Sequence, residues 1–304
     1  MGVDFLLLLT AAIWGFAFVA QRIGMASVGP FTFNAIRFLL GGLSLIPLAV
    51  YLKIGRGNCS FRQVLTAGII SGLVLFFGAS LQQVGIVETT AGNAGFITGL
   101  YVVIVPVLGL FLRQRTGWAT WLGAALAAVG LYLLSVTAQF TMGRGDAFVL
   151  IGAFFWAIHV LVIGYFSRRV DPLWLSIIQF LTCAILSGVT AFTTESIHPA
   201  LIWTARWPIL YGGLLSVGVA YTLQVISQQK AHPAHAAILL SLESVFAALG
   251  GWVILGELLS PRQLAGCALM LLGMLLSQLW RIRPAAFAEP GHPGERPGEK
   301  PSPE

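Results

Sequence analysis

Charge is what this sequence has least of: 9% of its 304 residues are Asp, Glu, Lys or Arg, against roughly 25% in an ordinary soluble domain. Cysteine is nearly as scarce. Cys59, Cys183 and Cys267 fall in a loop and two helices at unrelated spacing, which excludes a disulfide framework and a cysteine metal cluster. None of the lysines Lys53, Lys230 and Lys300 follows a glycine, so there is no G-x4-G-K-[ST] phosphate loop and no ATP-driven step within this chain. G-x-S-x-G, H-E-x-x-H and the zinc-deaminase signature are missing as well. The loops are too short for a soluble catalytic domain. An enzyme is therefore not expected, nor any cofactor or metal; His232 and His235 lack the cysteine or carboxylate neighbours of a metal pair, and a helix start after Lys230 explains them.

What is present is apolar: 57% of the chain is hydrophobic, more than a soluble fold of this size could bury. A bilayer core about 30 Å thick takes roughly 20 apolar residues per crossing. Ten such runs follow one another, at 3–22, 31–52, 64–84, 91–112, 117–136, 146–166, 172–193, 207–227, 233–254 and 262–280. The predicted fold class is all-α integral membrane. The first run is too long for a signal core, is led by Asp4 rather than a basic region and shows no small-residue cleavage site, and so reads as a retained helix.

The net charge of +6 is spread through short connections without interleaved aromatics, which argues against a nucleic-acid partner. It fits topology instead. With the N-terminus inside, the cytoplasmic ends carry Lys53, Arg56, Arg62, Arg113, Arg115, Arg168, Arg169, Lys230, Arg281 and Arg283, and the other side Arg22, Arg144, Arg206 and Arg262. That asymmetry obeys the positive-inside rule and predicts both termini in the cytoplasm. The proline-rich stretch 284–304 has little to bury and is predicted to be a disordered cytoplasmic tail.

Shifted by 142 residues, the sequence matches itself: Asp4 falls on Asp146, Trp14 on Trp156, Pro30 on Pro172, Phe38 on Phe180, and Leu81-Gln82 on Leu223-Gln224. Ala94, Leu100 and Gly109 fall on Ala236, Leu242 and Gly251; one further residue of shift aligns Gly123 with Gly266 and Gly130 with Gly273. The chain is thus expected to hold two repeats, 1–138 and 139–283. Five crossings each is an odd number, so the second copy enters from the opposite side, an inverted repeat whose halves enclose a midplane cavity and can open it alternately to either side.

A charge in mid-membrane costs about 2.5–3.5 kcal/mol on insertion scales and usually faces a partner or a wet cavity. Arg37 in the second run and Glu243 in the ninth are the charges clearly inside the runs. Glu243 could carry a proton or meet a cationic ligand group; equally, the two could bond helix carbonyls or each other and serve as structure. The uncharged candidates are Asn34, Gln82, Asn93, Tyr101, His159, Gln179, Gln224 and His235, each with the alternative of simply joining helices by hydrogen bonds. Trp14 and Trp156 stand in mid-helix, away from the headgroup level tryptophan prefers; both are candidate cavity walls, with packing against Gly15 or another helix as the alternative. Glycines at helical spacing, such as Gly123 and Gly130, read as packing seams.

Ala12-Ile13-Trp14-Gly15, Asn93-Ala94-Gly95-Phe96 leading to Leu100-Tyr101, and His235-Ala236-Ala237-Ile238 leading to Ser241-Leu242-Glu243-Ser244-Val245 carry a resemblance, followed by Gly256-Glu257 and by Gly266 to Gly273. With them, the chain up to residue 280 resembles the EamA-type permeases of the drug/metabolite transporter superfamily. It departs from that family in having Val102 and Ser244 where proline is frequent, and Gln114-Arg115 where Gly-Glu is common. The resemblance implies ten helices, cytoplasmic termini, and export of amino acids or other small metabolites across a bacterial inner membrane along a path between the halves. The expected partners are a small-molecule substrate, the lipid bilayer and, as candidate coupling ion, the proton; monomer and homodimer both stay open. The rivals are a nucleotide-sugar or drug transporter of the same superfamily, which a basic cavity would favour in the first case, and a membrane-embedded enzyme, which would need a clustered nucleophile and base.

Overall fold

The computed structural model describes residues 2–52, 59–89, 91–114, 116–135, 143–256 and 260–279. Lys53, Arg56, Arg115, Arg281, Arg283 and the tail 284–304 lie outside the described residues. Every regular element described is helical.

The helix starts follow from local chemistry. α1 spans Gly2–Gly24 and α2 Pro30–Tyr51, opened by a proline whose missing N–H costs nothing at that position. α3 runs Phe61–Glu88, longer than the apolar run 64–84, because Ser60 and Gln63 close a capping box three residues upstream of it. The next crossing divides into α4, Ala91–Gly99, and α5, Tyr101–Phe111. α6 is Trp118–Ser135, α7 Arg144–Phe166, and α8 Pro172–Thr194 under an Asp171 cap. A short α9, Pro199–Thr204, is an element the apolar runs do not show. After it, α10 (Arg206–Leu210), a π-helical stretch (Tyr211–Tyr221) and α11 (Thr222–Gln228) form one crossing. α12 (Pro233–Leu240) and α13 (Glu243–Leu255) form another, and α14 is Pro261–Leu279.

Among the described residues eight stretches are long and apolar enough to cross a bilayer; within α6 and α14 the apolar lengths are shorter, Trp118–Gly130 and Leu264–Leu276. The protein is a multi-pass membrane protein. The fourth and ninth runs, expected as plain helices, each contain a junction. At Leu100 and at Ser241-Leu242 the backbone stays right-handed but tightens to bonds three residues apart, as in Val103 N–H to Leu100 O and Val245 N–H to Leu242 O. The two junctions are 142 residues apart in register, and the residues just past them are Tyr101 and Glu243.

The main packings are α6 on α14, α3 on α7 and α8, α2 on α8 and the π stretch, and α1 on α13 and the π stretch. Each joins an element before residue 136 to one after residue 143, so the core is built between the halves rather than within them. The packings also come in matched sets: α1 sits on the π stretch and α12–α13 as α7, its counterpart in the repeat, sits on α3 and α4–α5.

Candidate functional site

Where these helices converge they leave a cavity of about 30 Å³, room for about two waters, since one needs roughly 10–15 Å³ on this measure. Ten of its fifteen lining residues are counterparts at the 142-residue shift: Trp14 and Trp156, Phe18 and Val160, Gln82 and Gln224, Thr98 and Leu240, Tyr101 and Glu243. Ala17, Gln21, Arg37, Ser216 and Tyr221 complete it.

The walls are held by hydrogen bonds, most of them between halves. Trp14 donates its indole N–H to the Ser216 carbonyl (3.2 Å), and its ring lies 4.5 Å from the Tyr221 ring, centroid to centroid. Beside it Tyr211 donates to the Ile13 carbonyl. A side chain at Gly15 would strike the Glu243 carbonyl oxygen and Phe246, so glycine there lets α1 lie directly on the turn that carries Glu243. On the facing wall, Trp156 donates to Gln82 Oε1 (2.8 Å) and Gln82 Nε2 donates to Gln21 Oε1 (3.2 Å). These bonds pair both indole N–H groups, as a buried indole requires.

Arg37 is 1% exposed and lies over the Phe38 ring at 4.8 Å. Its Nε–H donates to Asn34 Oδ1 (2.9 Å), and Arg37 Nη2 and Asn34 Nδ2 have no acceptor. Among the described residues Arg37 forms no ion pair, with Glu243 or any other carboxylate. Glu243 lines the same cavity beside Tyr101, and its Oε1 has no hydrogen-bond partner. Gln224 likewise leaves its Oε1 unpaired.

The remaining sequence candidates fall elsewhere. His159 and Gln179 bond each other (3.0 Å), fully buried behind the cavity, the His159 ring edge-on to Trp156 and Tyr221. Asn34 also stands behind the wall, orienting Arg37. His235 is not a cavity residue: it pairs with Asp4 at 3.0 Å, at the first turns of α12 and α1. Asn93 belongs to α4, and its side chain lies outside the described residues. Gln21, Phe18, Thr98 and Tyr221 were not singled out from the sequence, although helical spacing points to them: Gln21 lies two turns beyond Trp14, Phe18 one turn beyond it, and Thr98 and Tyr221 three residues before Tyr101 and Gln224. The three cysteines are free, and no cluster of metal-binding side chains occurs among the described residues.

A multi-pass helical membrane protein with a polar cavity walled by both halves is the class these features define. The model of the EamA-like transporter family matches the chain at residues 1–136 and again at 143–279. An uncharacterized transporter of Archaeoglobus fulgidus is 35% identical over 278 residues, 91% of this chain and 85% of that protein. The uncharacterized transporter YwfM of Bacillus subtilis is 30% identical, over 88% of this chain and 91% of its own. The uncharacterized inner membrane transporter YedA of Escherichia coli K12 is 25% identical, over 88% and 87%. A crystal structure at 20% identity superposes with a TM-score of 0.76, over 91% of this chain and 96% of that one, and shares the fold. The chain belongs to the EamA-like transporter family, within the drug/metabolite transporter superfamily, and family and relatives point to transport rather than catalysis.

Proposed function

We propose that this protein is a secondary transporter that exports small metabolites such as amino acids across a bacterial inner membrane by alternating access. In this reading ten crossings form two inverted five-helix repeats, 1–138 and 139–283, with both termini and the tail 284–304 in the cytoplasm. The observation that supports it best is the cavity lined by five pairs of counterparts, since a site on the relating axis is where two inverted halves exchange conformations. A space of about 30 Å³ is too small for a metabolite, so substrate enters only when the walls part. The tightened junctions before Tyr101 and Glu243 give each half a matched place to bend.

Glu243 is the group that senses substrate or proton, the carboxylate among the described lining residues. Among the described residues Arg37 is the cavity's single cationic side chain, too few for the diphosphate of a nucleotide sugar. The direction of export rests on the family resemblance, as does the bacterial inner membrane. The test is counterflow into liposomes of purified protein over a panel of amino acids and related metabolites, with and without a pH gradient. Saturable uptake of one class is expected, faster with a gradient; no flux across the panel from folded protein overturns the reading.

A further inference from the structure

Arg37 presents a problem of charge that the other described residues do not solve. A guanidinium cannot lose its proton at physiological pH, and an ion held away from water needs a partner to offset several kcal/mol of lost hydration. Arg37 is 1% exposed. It receives one neutral acceptor, Asn34 Oδ1, and the faces of Phe38 and Phe33 at 4.8 and 5.6 Å. Tyr221 and Cys183 are the ionisable groups whose charges it would feel, both neutral in their ordinary forms. Among the described residues no carboxylate pairs with it. Nη2 of Arg37 and Nδ2 of Asn34 are two buried donors, joined through the Nε–Oδ1 bond and left without acceptors.

The side chain nevertheless lines the cavity, and its position is fixed. The glycine Gly212 packs against its stem, where a Cβ would come within 3.4 Å of Cδ, and Asn34, one turn earlier on α2, holds Nε. A fixed planar fork with open donors matches a planar two-oxygen anion. Flanking it is an aromatic wall of Trp14, Tyr221 and Trp156.

We infer that Arg37, oriented by Asn34, is the anion anchor of the cavity and makes this transporter selective for substrates that carry a carboxylate. The inference rests on the transport reading for the steps after binding, but binding itself can be measured separately. A substrate carboxylate supplies the counter-charge that no described side chain gives Arg37, so a solute of the same shape without the carboxylate leaves Arg37 as it was.

The probes are matched sets on one carbon frame: 3-phenylpropanoate, 3-phenylpropanamide and 3-phenylpropylamine, and the corresponding butyl acid, amide and amine. Binding is read as thermal stabilisation of the detergent-purified protein, and transport as counterflow in liposomes. The acids are expected to bind and the amides and amines to bind about tenfold or more weakly, the loss expected for a charge-assisted contact. R37Q should bring acid and amide to the same weak affinity, while R37K, which keeps the charge without the fork, should retain part of the preference. The wild-type comparison of acid with amide needs no variant, so a misfolded R37Q does not remove the test. Equal binding of acid and amide, no binding by either acid, or a folded R37Q with its preference intact overturns the inference. Acids that bind and never cross the membrane leave the anchor standing and sink the transport reading; flux of amines or amides without acids does the reverse.

Discussion

Glu195, one residue past the end of α8, caps the start of α2 through its carboxylate, accepting from Phe31 N–H and Thr32 N–H at 2.8 Å each and from the Thr32 hydroxyl. It reaches them because residue 29 is glycine: a Cβ there would lie 2.3 Å from the carboxylate. The counterpart of Gly29 in the repeat is Asp171, which caps α8 itself by accepting from Leu173 and Trp174 N–H. One half carries its cap in its own chain and the other borrows it from across the fold.

Glu195→Ala should therefore cost about 1 kcal/mol, as loss of a helix cap does. Gly29→Ala should cost a similar amount, because the carboxylate must abandon both backbone donors to make room. In a thermal-unfolding cycle in detergent the two losses should not add. Gly29→Asp in the Glu195→Ala background should recover stability by supplying the cap that Asp171 supplies in the other half; full additivity of the two single changes would show that the contact does not matter.

The seam of α6 and α14 rests on missing side chains. A Cβ at Gly130 would meet the Gly266 carbonyl oxygen at 2.6 Å, and one at Gly273 would meet that of Gly123 at 2.6 Å. Gly273→Leu is expected to destabilise the protein by about 1–3 kcal/mol, the usual cost of overpacking, with flux per folded molecule kept, since the seam does not line the cavity. Lost flux from protein that unfolds at the wild-type temperature would contradict this.

Gln82 is expected to matter for the cavity wall. Gln82→Met removes the acceptor of the Trp156 indole N–H, leaving a buried donor unpaired at a cost of about 1–3 kcal/mol, and should slow counterflow several-fold. Gln82→Glu keeps an acceptor at that place and should lose less. The ordering of the two variants is the check.

Glu243→Gln should abolish the dependence of flux on a pH gradient while the fold is kept. Unchanged flux, pH dependence and melting temperature in this variant would remove Glu243 from the mechanism.

His232 lies outside the membrane-spanning stretches and accepts the Ala234 N–H on its Nδ1 at the start of α12. Burial, and then the charges of Arg168 and His235, hold it below its ordinary 6.5. The unfolded chain thus takes the proton more readily, so the stability from this group is complete above about 6.5 and declines as the pH falls through the lowered value. His232→Asn keeps a capping oxygen that does not titrate and should flatten the acid limb of melting temperature against pH. An identical acid limb in the variant would exclude His232 as its source.

Scarcity of charge and the length of the apolar runs identified the membrane helices from sequence, because hydropathy over 20 residues is a property of composition. The 142-residue register identified the counterparts. Seven candidates, Trp14, Arg37, Gln82, Tyr101, Trp156, Gln224 and Glu243, do line the cavity. Their legibility has a simple cause: polar and indole groups in mid-membrane need a wet or bonded place. That same rule could not separate them from His159, Gln179, Asn34 and His235, which satisfy it by pairing with a neighbour.

Which neighbour each meets was decided by tertiary structure. Periodicity gives the face of a helix and says nothing of the helix opposite; His235 faces Asp4, 231 residues away, and Gln179 faces His159. The junctions at Leu100 and Ser241-Leu242 were illegible for a related reason: no proline stands at either, and Gly99, which ends α4 beside the first, has Ser241 as its counterpart at the second. The sequence by itself determined that this chain lives in a membrane, in two copies of one pattern. Only the packing of α1 and α7 across the opposite half determined where the polar groups gather, and that Arg37 has no counter-charge there among the described residues.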